Sequence, residues 1–346
     1  MHTRSHNNEM AMTLAEIARL AGVSRTTASY VINGKAEERR ISRDTVERVM
    51  AIVERYQYRV DAQAAALRRG QSHTLGLIIP DLENASYARL AKRLERGARE
   101  QGFQLLIAGS DDDPATEREL ARALRAQRCQ ALIVATSLAA EDPFYVDLMA
   151  GGLPVIAVDR ALDPARFVCV LSNNVAAAET LTRSVLDADV HHIAWLDAVD
   201  ELSMTRERRQ GFEQAVAAAG AEPWILSAAR YDRHDGALLM ERLLAERGMP
   251  DALVTASYTL LDGALDVLLA RGGLPDTLRL ATFGDDRLLD FLPQPVNSLP
   301  QDHARIAELT LARAIAAARG DYRPGVTVVE RSLRCRAPRP APSTIG

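Results

Sequence analysis

The hydrophobic pattern changes period at Thr74, and that change constrains the fold more than any other feature of the chain. Before it, apolar residues recur only at helical spacing. After it, short continuous apolar runs alternate with helical stretches. Leu75–Ile79, Gln104–Ala108, Ala131–Ala135 and Pro154–Val158 read as strands, with helices over Ser86–Gln101 and Thr116–Gln127 between them. A similar set follows, with strands at His192–Leu196, from Ile225, at Ala252–Thr255 and at Leu278–Phe283. Its helices are Met204–Ala219, Gly236–Glu246 and Leu260–Ala270. Strands that are apolar throughout are covered on both faces, which predicts parallel sheets joined by right-handed crossovers. Two consecutive sets predict two doubly wound subdomains. One more helix, Gln301–Gly320, and a strand, Val326–Val329, end the pattern. A chain of 346 residues with 47% apolar content is long enough for two or three domains with real cores.

The segment ahead of this core has its own logic. Thr13 and Glu16 form a capping box for a helix whose apolar face is Leu14, Ile17, Ala18 and Ala21. Gly22 ends it where the backbone needs positive φ. Ser24 caps a second helix running to about Ile32, with Ala28, Val31 and Ile32 inward and Arg25, Thr26, Ser29 and Tyr30 outward. Ser42 caps a third helix patterned by Thr45, Val46, Val49, Met50 and Val53. This is a helix-turn-helix whose second helix is shaped for a DNA major groove. The expected fold class is therefore an all-α helix-turn-helix headpiece plus an α/β core of two doubly wound parallel-sheet subdomains.

Charge supports the division. The net charge is −4 overall, but residues 1–72 hold 12 Lys/Arg against 8 Asp/Glu and the remainder holds 30 against 38. The positive field is local to the headpiece, as a groove-binding module requires. No apolar run reaches the ~20 residues that span a bilayer. The N-terminus carries no signal-peptide apolar region, so a cytoplasmic protein is expected. Cys129, Cys169 and Cys335 are scattered singly without metal spacing and read as reduced thiols. No P-loop, no Gly-x-Ser-x-Gly and no metal-spaced His/Cys cluster occurs. An enzyme is not expected, and neither a cofactor nor a metal is. A two-lobed sugar-binding protein of transport would share the core but would not carry the headpiece.

The stretch Ala21-Gly-Val-Ser-Arg-Thr-Thr-Ala-Ser-Tyr-Val-Ile-Asn33 resembles the headpiece of the lactose/purine repressor family. The resemblance runs from about Met12 to Arg336. It is closest to the family's fructose-repressor branch, through Arg25–Lys35, Gly76–Asn84, Ala157–Asp163 and Thr282–Leu292. It implies a periplasmic-binding-protein-like core, palindromic double-stranded operator DNA as partner, and a homodimer, with a tetramer as the alternative. It divides the chain into an N-terminal extension (1–11, expected to be disordered), a headpiece (12–59), a hinge helix and linker (60–72), an effector-binding core (73–336) and a flexible tail (337–346). Within the core it implies an N-subdomain of about 73–170 and 299–322 and a C-subdomain of about 171–297 and 323–336, with crossings near 171, 298 and 323. Met10 and Met12 are alternative starts to Met1.

The resemblance also assigns candidate residues. Arg25, Thr26 and Tyr30 are placed at base edges, where Arg25 can bond a guanine bidentately or hold a phosphate instead. Ser29, Thr27 and Asn33 are candidate phosphate contacts. Asp61–Gly70 matches a helix that folds on operator DNA, with Leu67 as its minor-groove wedge and Arg68 or Arg69 on flanking phosphates. In open α/β sheets ligands sit at the carboxyl ends of the strands. Those positions hold Asp81, Thr136, Ser137, Asp159, Arg160, Ser257 and Asp285, with Ser86 and Tyr87 opening a helix and Arg206 and Arg208 opening another. Carboxylates suit sugar hydroxyls and arginine forks suit phosphate. The expected effector is a phosphorylated sugar: fructose 1-phosphate, with fructose 1,6-bisphosphate as the weaker candidate. Arg160 and Arg208 would clamp its phosphate, Ser86 would help from its helix N-terminus, and Asp81, Asp159 and Asp285 would hold the hydroxyls.

Overall fold

The computed structural model describes residues 12–58, 72–139 and 141–337. The N-terminal extension, the hinge helix with Leu67 and the tail beyond residue 337 lie outside the described residues. The chain divides into two compact units between Ser72 and His73.

The first unit is three helices: α1 (Leu14–Leu20), α2 (Arg25–Ile32) and α3 (Arg43–Arg55). Both arms of the Thr13–Glu16 capping box form, and the Ser24 and Ser42 side chains accept from the third residue of their helices. Gly22 has φ +67°, so α1 stops in the conformation that glycine adopts at no steric cost. Ile17, Ala21, Val31 and Val49 are buried at the centre, one or two residues from each helix.

The second unit holds two parallel sheets. The first has the strand order β11-β5-β4-β3-β1-β2. Its strands are β1 (Thr74–Ile79), β2 (Gln104–Gly109), β3 (Ala131–Val134), β4 (Val155–Val158), β5 (Val168–Ser172) and β11 (Gly325–Val329). The second has the order β10-β9-β8-β6-β7. Its strands are β6 (His192–Ala198), β7 (Glu222–Ala228), β8 (Ala252–Thr255), β9 (Arg279–Phe283) and β10 (Val296–Leu299). The first lobe's helices are α4 (Ala85–Glu100), α5 (Pro114–Ala126), α6 (Phe144–Ala150) and α11 (His303–Ala318). The second lobe's are α7 (Asn174–Arg183), α8 (Ser203–Ala219), α9 (Arg233–Glu246) and α10 (Tyr258–Ala270). Alternation along β1 sends Leu75, Leu77 and Ile79 into the core under α4 and α11, and Ile78 into the opposite core. That is why the strand is apolar throughout.

The structure adds elements to those predicted. β5, α6, α7 and β10 are not in the sequence reading, and β7 starts at Glu222 rather than Ile225. β7 is an edge strand that carries Pro223 near its start, the kind of position a sheet allows proline. The third crossing between the lobes also falls later than residue 323. β11 pairs with β5 in the first sheet, register Gly325↔Val168, so the chain leaves that lobe only at Glu330–Arg331.

The three crossings are laced together. The Arg331 N–H donates to Asn173 Oδ1 (3.0 Å) at the first crossing, and an Arg331 guanidinium NH donates to the Leu299 carbonyl (3.1 Å) at the second.

Candidate functional site

The carboxyl ends of both sheets face one cleft enclosing about 150 Å³. From the first lobe come the start of α4 (Asn84 to Tyr87, and Arg89), the end of β4 (Asp159, Arg160), Gln301 and His303 at the start of α11, and Arg331 after β11. From the second come Met204 and Arg208 on α8, Tyr231, Ala256–Thr259 after β8, and Phe283–Asp285 after β9. Of the sequence candidates, the structure brings Ser86, Tyr87, Asp159, Arg160, Arg208, Ser257 and Asp285 into this lining. Four others lie elsewhere. Thr136 is buried and its hydroxyl donates to Glu117 (2.5 Å). Asp81 caps its own turn, accepting from the Glu83 N–H at 2.7 Å. Ser137 sits behind Arg160 and donates to Asp112 (3.1 Å). Arg206 is exposed and donates to the carbonyls of Asp200 and Glu201.

The lining is held in place by a chain of hydrogen bonds. Asp159 follows β4 with φ +63°, a left-handed conformation that aspartate tolerates better than most residues. Its carboxylate accepts from Tyr87 OH (2.9 Å) and from Gln301 Nε2 (2.6 Å). Ser86 Oγ bonds Gln301 Oε1 and His303 Nε2, both at 2.8 Å. Ser257 is occupied as the N-cap of α10, accepting from the Leu260 N–H. Asp285 accepts from Ser298 Oγ (2.7 Å), Arg334 (2.8 Å) and Arg336 (2.6 Å), so both its oxygens are engaged by the terminal segment.

Three buried guanidinium groups line the cleft: Arg160, Arg208 and Arg331. Two carboxylates answer them. Asp112 forms a two-pronged ion pair with Arg160, and Asp159 stands 3.9 Å from Arg331. Arg208 donates to Asn174 Oδ1 (3.0 Å) and the Ala256 carbonyl (2.8 Å), both neutral. Arg208 and Arg331 both lie over the Phe283 ring, at 4.6 and 5.3 Å from its centroid. These three buried cations thus outnumber the two carboxylates that face them by one charge. Burial first, then Arg208, push the Arg331 guanidinium down to about 9, with Asp159 opposing. Burial would raise the Asp159 carboxyl, but Arg208 and Arg331 outweigh it and hold it below the usual range. The Nε atoms of Arg160 and Arg331 are buried donors without a partner. Such a set of donors is complementary to a dianion with several acceptor oxygens. The sequence reading missed Arg89, Tyr231, Phe283, Gln301, His303 and Arg331. The strand-end rule that flagged Asp159 applies equally to Arg331, which follows β11 by two residues.

In the headpiece, Arg25, Thr26 and Asn33 are exposed, and Ser29 and Tyr30 are half-exposed on the same side of α2. The Thr27 hydroxyl is tied to Ser24 Oγ (2.8 Å). The Asn33 amide donates to the Ser29 carbonyl (2.7 Å), and Arg39 lies over the Tyr30 ring. No helix of the described residues is long and apolar enough to cross a membrane.

Residues 13–61 match the bacterial regulatory proteins of the lacI family, and residues 72–281 match the periplasmic binding proteins and sugar-binding domain of that family. The chain belongs to the lacI family of bacterial transcription regulators. Among its relatives is the fructose operon regulatory protein of Vibrio cholerae, 51% identical over 325 residues, covering 94% of this chain and all of that one. The catabolite repressor/activator of Escherichia coli K12 is 46% identical, covering 93% and 97%. The crystal structure of the Cra transcriptional dual regulator of Pseudomonas putida in complex with fructose 1-phosphate is 48% identical. It superposes with TM-score 0.74 over 77% of this chain and 99% of that one. These relatives are regulators, not enzymes.

Proposed function

We propose that this chain is a homodimeric cytoplasmic regulator of carbon metabolism that binds a palindromic operator and releases it when fructose 1-phosphate enters the cleft. The observation that carries this reading is the uncompensated positive charge on buried, well-oriented guanidinium groups at the join of the two lobes. A free sugar has no use for it; a phosphate dianion does. Arg208 and Arg331 hold the phosphate, with Arg160 kept in line by Asp112 and Ser86 assisting from the start of α4. Asp159 and Asp285 accept from sugar hydroxyls. The effector named with the Pseudomonas putida structure, at 48% identity, supports the same choice.

Both lobes line this cleft and three crossings join them, so a ligand bound to both favours one relative setting of the two. Release follows if that setting disfavours the paired headpieces on DNA: an effector that binds one state 100-fold more tightly supplies about 2.7 kcal/mol of coupling. Arg25, Thr26 and Tyr30 read bases, while Thr27, Ser29 and Asn33 meet phosphates.

Calorimetric titration with fructose 1-phosphate and with fructose tests the effector, and operator gel shift with and without each ligand tests the release. Saturable heat with the phosphate alone, lost in Arg208→Ala and Arg331→Ala, together with operator release, is the expected result. Binding of free fructose as tight as the phosphate ester, or no binding of either, overturns it.

A further inference from the structure

The cleft is electrically lopsided. Its floor carries the surplus cations. Beside its edge stand acids: Asp286 next to the lining residue Asp285, and Asp262 with Asp266 on α10, the helix that Tyr258 of the lining opens. Two cations there, Arg233 and Arg89, are engaged. Arg233 takes Asp266 at 2.6 Å and Asp262 at 3.6 Å. Arg89, which lines the cleft from α4, donates one NH to the Asp285 carbonyl (2.7 Å) and the other to Asp286 Oδ2 (2.6 Å). Asp286 is mostly buried, and its other oxygen caps the 3-10 turn Arg287–Phe291 through the Leu288 N–H. Its charge is felt around it. Burial first, then Asp262 and Asp286, push the neighbouring Tyr258 hydroxyl up to about 12. The Asp262 carboxyl is raised by burial, with Asp266 and Asp286 adding to it.

We infer that Asp286 is a specificity-determining residue: by occupying Arg89 and placing a carboxylate at the rim, it rejects sugar bisphosphates in favour of monophosphates. The inference rests on the anion-binding reading of the floor. A ligand with one phosphate seats it among Arg208 and Arg331 and leaves the Arg89–Asp286 pair intact. A second phosphate at the far end of the sugar meets Asp286, and Arg89 beside it is already held by that carboxylate and by the Asp285 carbonyl. Removing the Asp286 charge abolishes the repulsion and frees Arg89 at once. Asparagine there keeps an oxygen for the Leu288 N–H, so the turn is retained.

The Arg89–Asp286 pair also ties the lobes together, and that role must be separated from selectivity. A tie that only favours closure affects every ligand that needs the closed cleft, and by the same factor. The readout is therefore a ratio: the Kd of fructose 1,6-bisphosphate over that of fructose 1-phosphate, by calorimetric titration of the full chain. Asp286→Asn is expected to lower this ratio at least tenfold, chiefly by tighter bisphosphate binding. Arg89→Gln in the Asp286→Asn background is expected to return most of the gain. A ratio unchanged within threefold, with both ligands weakened alike, leaves Asp286 a latch and overturns the inference. Absence of fructose 1-phosphate binding to the unsubstituted protein overturns the floor reading and the inference with it.

Discussion

Replacing Arg331 with methionine should make the protein more stable and far less responsive to its effector. The side chain is 3% exposed, and burial, then Arg208, lower its guanidinium from the ordinary arginine range to about 9. At about 1.36 kcal/mol per unit, the charged form costs the folded state up to roughly 5 kcal/mol. Because the folded value lies below the unfolded one, that cost is present in full below about pH 9 and is relieved only as pH rises above it. At neutral pH the whole penalty stands. Methionine removes it and fills much of the volume over Phe283. The losses are one hydrogen bond from a charged donor to Leu299, about 1.5–3 kcal/mol, and a desolvated contact with the ring, about 2 kcal/mol. The net is a gain of about 1 kcal/mol, or about 2–4 °C in melting temperature. Loss of a buried cation from the phosphate costs at least about 2 kcal/mol, or roughly 30-fold in affinity. Ligand at 100 times the original Kd stabilises the unsubstituted protein by about 2.7 kcal/mol; at 30-fold weaker affinity the same concentration gives about 0.9 kcal/mol. Scanning calorimetry with and without fructose 1-phosphate reads both effects. A variant that melts lower yet keeps the full ligand-induced rise would refute the reasoning, because Arg331 would then be a structural cation and not an anion-binding one.

Gly211→Ala should destabilise the second lobe by more than about 3 kcal/mol, since a Cβ there would meet the Val175 carbonyl at 2.1 Å and force α8 off α7; urea unfolding would check it. The same variant should weaken the effector, because α8 carries Arg208. His303 is lowered to about 4 by burial, Arg331 and Arg89, so it contributes stability above about pH 6.5 that is lost as pH falls toward 4. His303→Gln should remove up to about 3 kcal/mol of that acid-side slope, measured as melting temperature between pH 7 and 4. Arg25→Ala should cost about 1–3 kcal/mol on operator and little on random DNA. Ser29→Ala should weaken both alike, and competition gel shifts would separate the two.

Much of this was legible from period alone. A strand such as β1, covered on both faces, must be apolar at every position, and a capped amphipathic helix such as α3 announces its ends. What escaped is local in pattern but distant in contact. β10 spans only Val296–Leu299 behind Pro293 and Pro295, which read as turn, so the strand-end position of Gln301 went unseen. Arg331 stands in a run with Arg334 and Arg336 beyond the last strand, and nothing local marks which of them is buried. Its meaning depends on β11 joining β5, a pairing across more than 150 residues. Asp81 shows the opposite error. It stands at a strand end in the expected place, yet its carboxylate turns back to a neighbouring N–H, the cheapest use of a short acidic side chain. Arg160 was recognised, but its partner Asp112 was not, because nothing local links a loop after β2 to the end of β4.

Arg331 binds the first and second crossings as well as lining the cleft, so a residue placed to feel the ligand also fastens the joints between the two lobes. Any substitution there retunes the mechanical setting and the chemistry together. Descendants of this chain exploring new effectors therefore have little freedom at the floor. Their variation should accumulate at the rim, where Arg89, Tyr258 and Asp286 can change what is admitted without disturbing how admission is transmitted. A library randomised separately at floor and rim, selected for response to unfamiliar sugar phosphates, should yield inducible variants from the rim and constitutive ones from the floor.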